Sequence, residues 1–538
     1  MDKPSSVDTN RFSPWRRKSR TVRALVWSAV LLGSGCTPWR EYIRNGFKVG
    51  PNFCPPTAPV AQSWIDAADD RLQPAQEDFH RWWMLFNDSH LDSLIETAYQ
   101  QNLNLRQASC RILQARAQLG YARGSLFPQT QTMTGDAFRE SLSRNAANRS
   151  FVAQRFYDQF DYGFNLAWEI DFWGRLRRNV EAAGENLDVS IENYNAVLVT
   201  LLGDVAATYV QIRTLEQQIK YTQQNVDLQT RTLVLADARF KAGGTSDLDV
   251  EQARTVLAQT KAQIPVLEIA LRQSNNQLCI LMGMPPEDLN PRLGSGDIPT
   301  APQDIAAGIP ADLLRRRPDI RQAEHAAAAQ SAQIGIAEAE FYPHISLLGT
   351  LDFQAASVST LLSPGSLQAN IGPSYQWNIL NYGRLLNNVR AQDASFQQLV
   401  AAYQQTVLTA AGEVESGLVT FLKSQQQSKY QNDAVTAAKK AVDIAVVQYR
   451  EGRVDFNRVA VLQQNLVQEL NLLAQARGQI ATGLINVYRA LGGGWQIHVD
   501  SQDEGRDPDV PTSVPFHDAA LHPIPLPAPE AVNEKATE

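Results

Sequence analysis

The residues able to do covalent or metal chemistry are few, and their spacing suits neither. Seven histidines are scattered through 538 residues without an HxxxH or HExxH pair, the spacing that sets two imidazoles on one helical face. The four cysteines, Cys36, Cys54, Cys110 and Cys279, match no metal-ligand pattern and no dense disulfide framework. Cys110 and Cys279 are expected on different helices and unbridged. Glu338 and Glu340 read as a solvated helix face rather than an acid–base dyad. The run Arg315–Arg317 precedes Pro318, which fits the first turn of a helix. No catalytic constellation, metal set or cofactor motif emerges, so an enzyme is not expected. A net charge of −7 argues against a nucleic-acid binder.

Cys36 is the exception. Arg16, Arg17, Lys18, Arg20 and Arg23 form a basic region, and Ala24 to Gly33 is an apolar run of ten residues, too short to span a bilayer as a mature helix. The small residues Gly33, Ser34 and Gly35 then precede Cys36. This order reads as a cleaved secretory signal over 1–35, and the cysteine resembles a bacterial lipoprotein cleavage site. Acylated at Cys36, the chain would be held by lipid rather than by a helix. Gly33 stands where such signals usually carry Leu, and an unmodified Cys36 behind an ordinary signal is the alternative. No later segment has 18 consecutive apolar residues.

The elements that follow come twice. Asn104–Ala108 matches Asp319–Ala323, and Leu126-Phe127-Pro128 matches Phe341-Tyr342-Pro343, at an offset of 215. Trp168–Leu176 matches Trp377–Leu385, Phe240–Gly243 matches Tyr449–Gly452, and Met282-Gly283 matches Leu491-Gly492, all at 209. The chain is therefore expected to hold two copies of one unit, 89–284 and 311–495. A Pro-rich linker spans 285–310, and an N-terminal segment over 36–88 and an acidic, Pro-rich disordered tail over 496–538 flank the pair.

Each copy reads helix, two strands, long helix, turn, helix. The segment 90–124 is expected to be helical. Leu198, Val205, Ile212, Ile219, Val226, Leu233 and Phe240 recur every seven residues. Val407, Val414, Phe421, Ser428, Val435, Val442 and Tyr449 do the same in the second copy. A sustained seven-residue repeat means helices packed along a seam. No proline interrupts 174–242, so one helix of about 100 Å is expected there. It would end at Gly243 and Gly244, its counterpart at Gly452.

The strands narrow the reading. Phe160, Tyr162, Phe164, Leu166, Trp168, Ile170 and Phe172 alternate with polar or small residues, as do Leu367, Ala369, Ile371, Pro373, Tyr375, Trp377 and Ile379. Soluble strands usually run five or six residues. An outer-membrane strand needs about ten, with an apolar lipid face, a polar lumen face and interfacial aromatics. Residues 345–353 offer a partner strand in the second copy; 130–139, its polar counterpart, is a weaker candidate. Four strands cannot close a barrel, and an open edge in lipid leaves backbone groups unsatisfied. The barrel must be shared between chains, and a trimer is the smallest assembly that leaves a conduit.

At this point a family is recognisable. Asp171-Phe172-Trp173-Gly174-Arg175 resembles the DFWGR motif of TolC-like outer-membrane efflux lipoproteins of the NodT type. Leu313-Leu314-Arg315-Arg316-Arg317-Pro318-Asp319-Ile320 resembles their LLxRRPDI motif. The resemblance implies an α+β membrane protein, a homotrimer closing a twelve-stranded barrel above a periplasmic tunnel of long coiled-coil helices. It implies a passive exit duct for small molecules, serving a periplasmic adaptor and an inner-membrane RND-type pump. It also implies that the turns at Gly243, Gly244 and Gly452 form the tunnel tip where an adaptor docks, and that Tyr449 holds the tip closed. Arg450, Arg453, Asp455 and Arg458 supply charge there, while the family's tunnel-narrowing Asp falls near Val461. A polypeptide-secretion conduit and a lipid-anchored coiled-coil scaffold are the competing readings.

Overall fold

A computed structural model describes residues 39–73, 79–145, 154–306, 308, 310–312 and 316–497. The expected signal, Cys36, Leu313 to Arg315 and all but two residues of the expected tail lie outside the described residues. In chain order the main elements are α1 (Trp39–Arg44), α2 (Ser89–Gln101), α3 (Leu103–Gly124), β1 (Thr130–Ser141), β2 (Phe156–Ile170), α4 (Arg175–Lys241) and α5 (Asp247–Leu281). There follow α6 (Pro318–Ala339), β3 (His344–Ala355), β4 (Leu367–Gln376), α7 (Arg384–Arg450) and α8 (Phe456–Ala490). The halves repeat at equal length: α3 and α6 have 22 residues, β1 and β3 have 12, α4 and α7 have 67, and α5 and α8 have 35.

The described residues divide into two compact units, one drawn from 39–56, 114–189 and 323–402, the other from 57–113, 190–322 and 403–497. The first is built on a four-stranded antiparallel sheet in the order β1-β2-β3-β4. β1, the weaker candidate in the sequence, pairs with β2 through all twelve of its residues. β4 stops at Gln376, short of Ile379, because its ladder ends where β3 begins, at His344↔Gln376. Trp377 therefore lies just beyond the strand, and its Nε1 donates to the Phe341 carbonyl at 2.9 Å. Pro373 sits on β4, an edge strand, where a missing N–H is tolerated.

The strand-to-helix corner explains the first motif. Asp171 accepts from the Leu176 and Arg177 amides at 3.0 and 2.9 Å, satisfying open N–H groups at the start of α4. Gly174 has φ 84°, and a Cβ there would lie 2.6 Å from Lys48. Arg178, 3% exposed, donates to the Val49 and Gly50 carbonyls and so holds the N-terminal segment in place.

In the second unit the heptad rows are the core. Leu198, Val205, Ile212, Val407, Val414, Phe421, Val435, Val442 and Tyr449 are buried, whereas Phe240 is exposed. One window of α4 is apolar enough to cross a membrane by composition, but 61% of it is buried inside the fold. The expected helix 90–124 is two helices, since Asn102 is extended (ψ 125°) and its side chain accepts from the Leu105 amide. Arg317 of the second motif donates to Asp319 and to the Ala490 carbonyl and lies 2.8 Å from Glu413, pinning the start of α6 to the end of α8. Arg213, 1% exposed, donates to the Leu293 and Gly294 carbonyls and holds the linker.

Candidate functional site

Directly opposed residues in an antiparallel sheet share a face, so the register sorts the side chains. One face carries the rows Tyr162–Phe353–Leu367, Phe164–Leu351–Ala369, Leu166–Gly349–Ile371, Trp168–Leu347–Pro373 and Ile170–Ile345–Tyr375. The other carries Asp161–Gln354, Gly163–Asp352–Gln368, Asn165–Thr350–Asn370, Ala167–Leu348–Gly372 and Glu169–Ser346–Ser374, polar apart from the Leu348 row. Apolar side chains on the first face are open: Tyr162 is 41%, Ile371 72% and Tyr375 78% exposed. A soluble sheet would bury that face, and this one does not. The outer edges of β1 and β4 have no strand partner within the sheet.

The second candidate is the pair of helix turns, which lies within the helical unit. α4 ends with Gly243 at φ 74°, its amide on the Phe240 carbonyl and that of Gly244 on the Arg239 carbonyl. α7 ends the same way, with Gly452 at φ 75° and bonds to the Tyr449 and Gln448 carbonyls. Both are the Schellman termination that a left-handed glycine permits.

Around these turns Tyr449 is 1% exposed. Its hydroxyl donates to Asp249 Oδ2 at 3.3 Å, and Thr245 donates to the same oxygen. Its ring lies edge-on to Phe456 and 4.6 Å beneath the Arg239 guanidinium. Arg239 donates to the carbonyls of both Tyr449 and Gly244, tying the two turns together. Burial above all raises the Tyr449 pKa; the Thr245 hydrogen bond lowers it, and the Asp249 charge raises it.

The other expected tip charges are not gathered around Tyr449. Arg450 and Arg458 are exposed. Arg453 pairs with Glu451 at 3.0 Å on the surface, where such pairs contribute about 0–1 kcal/mol. Asp455 is the N-cap of α8, accepting from the Arg458 amide at 3.0 Å. Sequence reasoning missed Arg239, Thr245 and Asp249. The duplication offers no signal for them, since their counterparts are Gln448, Val454 and Arg458.

Cys54, Cys110 and Cys279 are free thiols. Among the described residues Glu185, Asp188 and His325 bring ligand atoms within 4.8 Å of one another. His325 Nδ1 lies 2.8 Å from Glu185 Oε2, within hydrogen-bond distance. Burial chiefly raises the Asp188 pKa, opposed by His325 and assisted by Glu185.

The chain matches the outer membrane efflux protein family over residues 94–284 and 309–493. The outer membrane protein OprJ of Pseudomonas aeruginosa is 32% identical over 462 residues, 85% of this chain and 94% of OprJ. The pyoverdine export outer membrane protein OpmQ of Pseudomonas putida is 31% identical over 82% of this chain and 94% of OpmQ. The solved outer-membrane channel OprN superposes with a TM-score of 0.78 at 30% identity, covering 83% of this chain and 99% of that one.

Proposed function

The chain belongs to the outer membrane efflux protein family, and from that premise we infer that three copies close their four-stranded sheets into one barrel. It is an outer-membrane efflux channel of the TolC-like, NodT-type kind, a conduit rather than an enzyme. The observation that carries the trimer is the sheet itself. Its apolar face is open, its opposite face is polar apart from Leu348 and Phe138, and both edges are unpaired within the sheet. In hydrocarbon every unpaired N–H and C=O costs several kcal/mol. Joining edge to edge in a ring removes that cost, puts Phe164, Trp168 and Tyr375 toward lipid and leaves Asn165, Asp352 and Asn370 lining water.

The helical unit then serves as the periplasmic duct. Its turns at Gly243, Gly244 and Gly452 dock a periplasmic adaptor, which connects the channel to an inner-membrane RND-type pump. Small molecules pass, and the pump selects them. Tyr449, held by Asp249 and Arg239, keeps the tip closed, while Asp455 starts α8. Cys36, three residues before α1, carries the lipid. The repeats over 89–284 and 311–495 are the structural units of this duct.

Detergent-purified protein should migrate as a trimer and conduct ions in planar bilayers. A chain that stays soluble without detergent and never conducts would establish the coiled-coil scaffold instead. Mass spectrometry of the N-terminal peptide should find acyl chains on Cys36, and a Cys36→Ser variant should lack them.

A further inference from the structure

His344 and His325 each lie beside two carboxylates, and the two arrangements differ. His344 faces Glu169 from Nδ1 at 3.3 Å and Glu340 from Nε2 at 3.5 Å. An ion takes one nitrogen of a ring, so carboxylates on different nitrogens do not meet at it. Glu169 is also held by Arg175 at 2.6 Å, and the set is an ion-pair bridge. At His325 the donors converge. One ring nitrogen and one oxygen each from Glu185 and Asp188 lie within 4.8 Å of one another, and Nδ1 is 2.8 Å from Glu185 Oε2.

The backbone sets this convergence. Glu185 and Asp188 stand three residues apart on α4 and so share a face of the helix. His325 comes from α6, and all three belong to the same compact unit. Glu185 and His325 are half-buried and Asp188 is exposed, so the set is open to solvent. The charged groups acting on Asp188 are His325 and Glu185. Basic residues nearby in the chain are engaged elsewhere: Arg321 pairs with Glu192 at 2.6 Å, and Arg178 pairs with Glu181 at 2.8 Å. With a neutral ring, two negative charges face each other with no arginine or lysine between them.

The duplicated fold does not require these residues. At the equivalent positions α3 carries Cys110, and α7 carries Ala394 and Gln397. The same elements therefore form in the other copy of the unit without an imidazole or a carboxylate at these places.

We propose that Glu185, Asp188 and His325 bind one divalent cation of the zinc class per chain, and that the ion clasps α4 of the first repeat to α6 of the second. One imidazole nitrogen with two carboxylate oxygens is a donor set that zinc accepts, water taking the fourth position. Tetrahedral zinc, with bonds of about 2.0–2.2 Å, holds its donors roughly 3.4 Å apart. The separations here run from 2.8 Å to no more than 4.8 Å, so rotation of the side chains suffices to close the site. The ion displaces the proton shared by His325 and Glu185, since a metal ligand must be deprotonated. Magnesium and calcium prefer all-oxygen shells and are poorly served by the ring.

The test is metal counting on the detergent-purified full chain, stripped with chelator and then dialysed against Zn²⁺ in excess Mg²⁺. Wild type should retain one Zn²⁺ per chain more than His325→Ala, a difference that cancels any ion held by the other histidines. Zn²⁺ should also raise the melting temperature of the wild type and leave that of His325→Ala unmoved. Asp188→Asn should weaken binding by more than the roughly 10–100-fold that losing a group behind a ligand costs. Glu340→Gln, beside His344, should leave the count unchanged. Equal counts in wild type and His325→Ala overturn the site, and displacement of Zn²⁺ by Mg²⁺ overturns it by reducing the cluster to an acidic patch. Full affinity in Asp188→Asn, or loss of the ion in Glu340→Gln, overturns the ligand set. Should His325→Ala fail to fold, His325→Gln and Asp188→Asn decide by the same count.

Discussion

Replacing Tyr449 with Phe removes one oxygen from the proposed tip latch and little else. The ring keeps its edge contact with Phe456 and its place beneath Arg239. What is lost is the hydrogen bond to Asp249 Oδ2, at 3.3 Å, together with the hydroxyl's contact with Thr245. Bonds to charged groups contribute about 1.5–3 kcal/mol, and the length of this one places it near the lower end, about 1.5 kcal/mol per chain. That is roughly a tenfold shift toward the open tip per subunit. If three latches release together, the closed-to-open ratio should fall by about three decades. Purified trimers in planar bilayers supply the assay. The wild type should be nearly closed, and Tyr449→Phe should raise the current steeply while the melting temperature barely moves. Asp249→Asn should act similarly, and the double variant should exceed neither by much, since all three cut one contact. Unchanged current in both single variants would refute the latch, as would additive gains in the double.

Asp455→Ala should act on stability instead, costing about 1 kcal/mol through the lost cap of α8, measured by urea unfolding, with current unaltered. Arg213→Met leaves the Leu293 and Gly294 carbonyls without their donor; at about 1–3 kcal/mol for each unsatisfied group, limited proteolysis should cut faster within 285–310. Tyr209, 1% exposed, has its pKa pushed up from 10.0 to about 12, chiefly by burial. The unfolded chain therefore loses this proton first, so stability is full below pH 10 and falls as pH rises toward 12, by roughly 2–3 kcal/mol in all. Urea midpoints across that range should show the decline, and Tyr209→Phe should flatten it. Gly174→Ala forces a Cβ against Lys48 and should expose residues 39–52 to protease while the sheet persists.

Much of this protein was legible in its residue order, because period and repetition are properties of sequence. The offsets of 215 and 209 anticipated the paired elements, and the seven-residue rows anticipated many of the buried side chains of α4 and α7, though not Phe240, which is exposed, or Ile219, Leu233 and Ser428, which are half-buried. The alternation in Phe160–Phe172 anticipated a two-faced strand. These signals are local: each residue's side is set by its own helix or strand geometry. β1 was harder to read because its place in the sheet comes from pairing with β2, not from its own polar composition. The end of β4 was misjudged for a related reason, since alternation continues to Ile379 while partners run out at His344. The tip was the least legible. Tyr449 meets Asp249, 200 residues away, and Arg239, whose own counterpart is Gln448, bridges the two turns. Which unlike residues face each other across a helix pair depends on how the helices pack, and only the tertiary structure decides that.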